Sequence, residues 1–268
     1  MPTPALRRPL AALPPSDRPL YEQVRQRLIE GISAGAWGAG EAIPTESALA
    51  AAFGVAIGTI RKAIDTLVAE RALVRRQGKG TFVTAHDGSR MLFHFFHIVA
   101  RDGAKTYPEV RTVGFRRDRA DAQAARALGV APHDKVIRIR NVLSLGTVHN
   151  SKPDVPFPPR PVIVDDITLP AALFPGLSEK VFLSRDNTIY HLYQSRYGIN
   201  VLRTDERLRA VLATGDIAQH LELAAGAPLL EIRRVALTFR DRPVELRVSR
   251  VNTSRHDYHN TLGKGEAR

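Results

Sequence analysis

A set of short polar and cationic side chains between Thr59 and Lys79 holds most of the recognisable chemistry of this chain. Thr59, Arg61 and Lys62 share one apolar-periodic segment, and Arg75, Arg76, Gln77, Gly78 and Lys79 follow in the stretch RRQGKG. A guanidinium forks onto a guanine edge or a phosphate, an ammonium neutralises phosphate as a point charge, and hydroxyl or amide groups complete base contacts. Glycines in a turn let backbone approach a polyanion closely. The set therefore suits a nucleic acid. GKGT also resembles part of a phosphate-binding loop, but the first glycine of G-x-x-x-x-G-K-[ST] is missing and no helix is predicted after it, which excludes that motif.

Charge supports this only locally. The net charge is +12, yet residues 17–84 hold 9 Lys/Arg against 7 Asp/Glu. Within them, residues 17–55 carry −2 and residues 56–84 carry +4. The remaining excess of +8 beyond residue 85 suits either long-range attraction to DNA or an anionic small molecule. There is no cysteine, so no disulfide framework and no thiolate metal site exists. No run approaches eighteen apolar residues, and a soluble cytoplasmic protein is the expectation, with no membrane partner.

The elements that must position these groups are legible from periodicity. Leu20, Val24, Leu28 and Ile32 predict a first helix, ended near Gly35 and Gly38. Thr45 is placed to cap a second helix whose apolar face is Ala48, Leu49, Ala52 and Phe53, stopped at Gly54. A third helix from about Ala56 packs through Ile60, Ile64, Leu67 and Val68, leaving Thr59, Arg61, Lys62 and Asp65 on other faces. Leu73-Val74 and Thr81-Phe82-Val83 bracket the basic turn as two strands. Three helices, a short turn and a basic hairpin make a winged helix-turn-helix, whose last helix enters the major groove.

Beyond residue 85 the pattern changes to strand-like stretches at 110–115, 136–145, 161–169, 199–212, 229–240 and 243–252, with short helices near 120–128 and 216–223. An α+β domain with a mostly antiparallel sheet follows. Residues 125–142 align without gaps to residues 218–235 at an offset of 93. Ala125/Ala218, Leu128/Leu221, Ile139/Ile232, Arg140/Arg233 and Val142/Val235 are identical. Each copy then reaches Arg-Pro-Val, at 160–162 and 242–244, with the first hairpin longer by 11 residues. The excess falls in NSKPDVPFPP, which suits an exposed loop. Two helix–strand–strand units related by an approximate twofold, with a crevice between them, are expected. His94/His97 and His256/His259 each have a spacing of three, but His94 and His97 lie in chain that reads as extended, where that spacing points them to opposite faces. No metal site, cofactor or catalytic set is predicted.

PLYEQVRQRL, GAWGAGEAIPTESALAAAFGV, TIRKAIDTLVAERALV and RRQGKGTFV resemble the DNA-binding domain of the GntR family of bacterial transcription regulators. Two departures stand out. Ser47 occupies a position where the family often has Arg, and Ala56-Ile57 stand where Ser-Arg is common. The resemblance implies DNA contacts from Thr59, Arg61, Lys62, Gln77, Gly78 and Lys79, with Ser47 as a lesser one; Arg75 and Arg76 add charge for phosphates or the minor groove. Arg61 is the best single candidate, its competing role being a surface pair with Asp65.

ARALGVAPHDKVIRIR, PVIVDDITLPAALFPGL, NTIYHLYQSRYGI and PLLEIRRVALTFRDRPVELRVSR resemble the UTRA effector-binding domain of the HutC branch, whose fold is similar to that of chorismate lyase. That resemblance implies a small-molecule site. Its candidate residues are Arg140, Asp165 (where Glu is usual), Thr188, Glu245, Arg247 and Tyr258, with Thr188 equally suited to a plain helix cap. The expected organisation is a flexible tail at 1–16, a winged helix-turn-helix at 17–84, a linker at 85–92, a UTRA effector and dimerisation domain at 93–260, and a tail at 261–268. The expected function is a homodimeric repressor of a pseudo-palindromic operator on double-stranded DNA, tuned by an effector, anionic by one reading. The alternatives are a DNA-binding dimer without effector, or an enzyme of chorismate-lyase-like fold.

Overall fold

Residues 17–85, 95–103, 105–146 and 159–260 are described by the computed structural model. In chain order the elements are α1 (Leu20–Ser33), α2 (Glu46–Phe53), α3 (Ile57–Ala69), β1 (Leu73–Arg76), β2 (Gly80–Val83), β3 (Ile98–Ala100), β4 (Glu109–Arg119), α4 (Ala122–Leu128), β5 (Lys135–Leu145), β6 (Arg160–Pro170), α5 (Glu179–Leu183), α6 (Ile189–Tyr197), β7 (Arg203–Leu212), α7 (Gly215–His220), β8 (Pro228–Leu237), β9 (Pro243–Val251) and β10 (His256–Tyr258). The predicted tails, nearly all of the linker, His94 and most of the proline-rich loop lie outside the described residues.

The chain divides into two units. Of the described residues, the first comprises 17–85 together with 185–202 and 238–240, the latter two being segments that the sequence assigns to the C-terminal domain. Val24, Leu28, Ile32, Leu49, Phe53, Ile60, Ile64 and Leu67 form its core, joined by Phe239. Three details depart from the sequence pattern. Leu20 is exposed at the head of α1, and Ala50, not Ala48 or Ala52, is the buried alanine of α2. Val68 packs only at the margin of the core. Residues 40–43 also run along β2, with Gly40, Ile43 and Val83 exchanging backbone hydrogen bonds with that strand and with Glu41, so the wing has a third, irregular strand.

The second unit is built on a six-stranded antiparallel sheet in the order β4-β5-β6-β9-β8-β7. Its internal duplication is complete. The offset of 93 carries the end of β4 (Arg119) onto the end of β7 (Leu212), and the starts of α4 and β5 onto those of α7 and β8. The offset of 82 carries Pro161 of β6 onto Pro243 of β9. Each copy is therefore strand–helix–strand–strand, one strand more than the sequence alignment suggested. Asp166 and Val248 are partners in the β6–β9 ladder and also equivalents under the offset, so the approximate axis passes through that pair.

The two copies exchange helices. One apolar cluster joins Val142 and Val164 of the first copy to Ala213, Ile217, Ala218, Leu221 and Leu229 of the second. The other joins Leu246 and Val235 of the second copy to Ala120, Ala124, Ala125, Leu128 and Val136 of the first. These are the same positions with the copies interchanged. Even the turns match: Gly129 and its equivalent Glu222 are both left-handed, at φ 64° and 55°. Burial of each copy's helix on the other's strands explains why neither copy closes a core alone.

Candidate functional site

Helix α3 sits where a helix-turn-helix requires it. Thr45 caps α2 by accepting from the Ala48 amide at 3.2 Å, and Gly54 ends it in the left-handed conformation at φ 67°. The chain then turns by 116° into α3, within the range of this motif. Ile60, Ala63, Ile64 and Leu67 point into the core. Ile57, Gly58, Arg61, Lys62 and Asp65 form the outward stripe, and Thr59 is half-buried beside it. Ala56 precedes α3 without a side-chain cap, as its methyl group dictates.

The cations of this surface are held by internal partners. Arg61 donates Nε to Glu46 at 3.0 Å, Arg75 donates to the other Glu46 oxygen at 3.1 Å, and Arg75 also pairs with Asp65. Asp65 therefore takes Arg75 as its partner, and Arg61 turns to Glu46, a carboxylate on a different helix. Lys62 lies over the Tyr21 ring at 4.1 Å and Arg76 over the Phe82 ring at 4.6 Å. These pairs are partly exposed and contribute at most about 1 kcal/mol each, so they orient the cations more than they hold the fold. Ser47 is exposed, its hydroxyl 3.1 Å from that of Thr45. In the wing, the Lys79 amide closes the turn onto Arg76 at 2.9 Å, Gly78 has φ 69°, and the Gln77 and Lys79 side chains project outward.

In the second unit the expected effector residues separate. Asp165 accepts from Arg247 at 3.2 Å, and both Glu245 oxygens accept from Arg247 at 2.9 and 3.1 Å. Arg234, the ladder partner of Arg247, donates to Glu206 at 2.5 Å, and Tyr258 donates to the second Glu206 oxygen at 2.5 Å. Asp165, Glu245, Arg247 and Tyr258 thus belong to one buried polar layer on one face of the sheet. Burial pushes the Asp165 carboxyl above its usual range against the pull of Arg247, and burial with the Glu206 contact pushes the Tyr258 phenol up.

Beside Asp165 in the ladder lies Asn141, fully buried, accepting from Thr112 at 2.8 Å. Asn141 Nδ2 is buried without a hydrogen-bond partner among the described residues; Asp165 Oδ1 is buried with none in good geometry, while the Ser249 hydroxyl beside that carboxyl pulls its pKa down. Such atoms cost about 1–3 kcal/mol each and call for a partner. Asn141, Thr112, Glu206 and Arg234 were missed from sequence. The repeat held the clue, since Arg234 is the equivalent of Asn141, and Arg247 of Asp165.

Two expected residues lie elsewhere. Arg140 alternates with Asn141 and so points to the opposite face, where it pairs with Asp166 at 2.6 Å and with Asp216. Its equivalent Arg233 faces the Gln123 side-chain amide, whose oxygen accepts at 2.9 Å in the amide orientation that satisfies both groups, and Gln123 is itself the equivalent of Asp216. Arg140 is therefore one half of a symmetric tie between exchanged helices and strands. It also lines a polar cavity of about 210 Å³ on that face, with Asp166 and Arg250. Thr188 caps α6, accepting from the His191 amide at 3.1 Å, and belongs to the first unit.

A winged helix-turn-helix joined to a duplicated antiparallel sheet defines a bacterial transcription regulator of two modules. Residues 20–83 match the bacterial regulatory proteins of the gntR family, and residues 159–257 match the UTRA domain. The chain is 30% identical over 231 residues to the probable fructoselysine utilization operon transcriptional repressor of Escherichia coli (strain K12), covering 85% of this chain and 88% of the relative. It is 28% identical over 236 residues to the histidine utilization repressor of Pseudomonas putida, covering 87% and 88%. The ligand-binding domain of a GntR-family transcriptional regulator from Bordetella bronchiseptica superposes with a TM-score of 0.55 at 33% identity, over 63% of this chain and 98% of that one. The chain belongs to the GntR family and carries the UTRA domain of its HutC branch; it is a DNA-binding transcription regulator and not an enzyme. Among the described residues, no single helix is long and apolar enough to cross a membrane.

Proposed function

We propose that this regulator represses transcription by binding a pseudo-palindromic operator as a homodimer, with α3 in the major groove and the wing against the backbone. The observation that supports this most is the outward stripe of α3, with Arg61 and Lys62 exposed on a helix whose other side is sealed into the core. Thr59, Arg61 and Lys62 face base edges and nearby phosphates, Ser47 lies alongside, and Arg76, Gln77, Gly78 and Lys79 meet the backbone or minor groove. Arg75 acts through its carboxylate partners, tying the wing to α2 and α3.

The effector belongs on the sheet face that carries Asn141 and Asp165. A ligand hydroxyl accepts from Asn141 Nδ2 and donates to Asp165 Oδ1, satisfying both atoms, so a polyhydroxylated small molecule fits better than a simple anion. Arg234 and Arg247 are already engaged by Glu206 and Glu245. The fructoselysine named in one relative's description is of this polyhydroxylated kind. An effector that prefers one dimer geometry shifts operator affinity by that preference and no more. The test is a melting-temperature screen of sugars, amino sugars and sugar phosphates on the full chain and on Asn141→Ala. A saturable rise that the variant loses supports the site. An equal rise in both would put the ligand elsewhere.

A further inference from the structure

Ile57 is 46% exposed at the first turn of α3, although the helix has an apolar core face available to it. Its exposed neighbours are charged or bare: Arg61 one turn on, and Gly58 beside it. A Cβ built at Gly58 meets no atom within 4 Å, so the missing side chain relieves no clash inside the protein. A glycine in an exposed helix costs about 0.5–1 kcal/mol relative to alanine. Ile57 and Gly58 thus form an apolar knob and a cleared patch of backbone, set among cations on the helix face proposed to meet the operator.

The one methyl group on a base edge in the major groove is the 5-methyl of thymine, the largest apolar surface there. Phosphates and the donor and acceptor groups of the base edges are polar and offer an isoleucine side chain nothing. We propose that Ile57 is a specificity-determining residue that packs on a thymine methyl in each operator half-site, with Gly58 allowing α3 to approach closely enough. The inference rests on the operator-binding reading above. Arg61, its guanidinium turned by Glu46, then contacts the neighbouring step.

The test uses the full chain and the tightest duplex it selects from random-sequence DNA. Each thymine of the selected half-site is replaced in turn by deoxyuridine, which removes the methyl and leaves base pairing intact. One position should weaken binding by about fourfold, the effect of losing one buried methyl-sized group. Ile57→Ala should lose affinity for the thymine duplex by a similar or larger factor and no longer distinguish thymine from uracil at that position. Since Ile57 is exposed, its variant should fold, and the deoxyuridine series on the unaltered protein stands regardless. Indifference of the unaltered protein to uracil at every thymine would overturn the proposal. So would an Ile57→Ala variant that keeps the full preference. Failure to select any sequence would instead count against operator binding itself.

Discussion

Arg61 donates its Nε to Glu46 at 3.0 Å, across the angle between α2 and α3. That bond engages Nε of a side chain that stays largely exposed, so the guanidinium keeps donors for a further partner. The same carboxylate takes Arg75 of the wing strand, so one acid on α2 sets the orientation of a helix cation and a wing cation together. Removing Glu46 should therefore have two effects of opposite sign. Glu46→Ala should weaken binding to the selected operator by about tenfold or more, the scale of one bidentate base pairing that the guanidinium no longer aligns to make. Binding to unrelated DNA should stay equal or strengthen, because a negative charge beside the phosphates is gone. Titrations against both duplexes at several salt concentrations read the two effects separately, and a parallel loss on both would show Glu46 to be a purely structural residue.

Arg61→Ala removes the guanidinium itself. The side chain is largely exposed, so thermal stability should change little. Operator affinity should fall by about tenfold to a hundredfold. Equal affinities of variant and parent across the salt series would remove Arg61 from the interface.

The buried polar layer predicts a pH response. Asp165 has its carboxyl raised above the ordinary value of 3.8, burial being the main cause. An acid whose folded pKa exceeds its unfolded pKa stabilises fully below the unfolded value, and that contribution declines as pH rises through the folded one. Asp165→Asn keeps Glu245 against Arg247 and removes the titration. Its melting temperature should therefore fall less than the parent's as pH rises from about 4 toward neutrality. Parallel curves would mean that Asp165 ionises without cost.

The exchanged helices predict paired consequences. Leu128 and Leu221 are equivalents, both buried, each closing one of the two symmetric clusters. Leu128→Ala and Leu221→Ala should each cost about 2–5 kcal/mol, and by similar amounts, in denaturant unfolding. A large effect for one and none for the other would mean that the two clusters differ in how far they support the sheet.

Glu222 occupies the left-handed position that Gly129 fills in the first copy. Glu222→Gly should raise the melting temperature slightly, by relieving about 1 kcal/mol of backbone strain, and Gly129→Ala should lower it. Opposite signs in a thermal scan check the equivalence of the two turns.

Much of this was legible in the chain. The helix-turn-helix was readable because each element carries its own punctuation: Thr45 to start α2, Gly54 to end it, and Ile60, Ile64 and Leu67 at helical spacing in α3. The sheet was readable because duplication left matching residues at a fixed offset. The partners of the cations were not, since Glu46 is far from Arg61 and Arg75 in sequence and meets them only after α2, α3 and β1 pack. Arg140 parts from Asp165 for a simpler reason. On a strand, neighbouring residues face opposite ways, and a slip of one position moves a side chain across the sheet. Asn141, the buried neighbour, is the residue that faces Asp165's side.

The absence of cysteine makes the central claim directly measurable. A single cysteine at Thr59, in the parent sequence, can be carried to a duplex bearing thiol-modified bases at successive positions of the selected operator. Disulfide capture should peak at bases whose thiol projects into the major groove and repeat in the second half-site, while a cysteine at exposed Glu30 on α1 should give none. Capture from Glu30 but not from Thr59, or from Thr59 only at minor-groove positions, would contradict the placement of α3 in the groove.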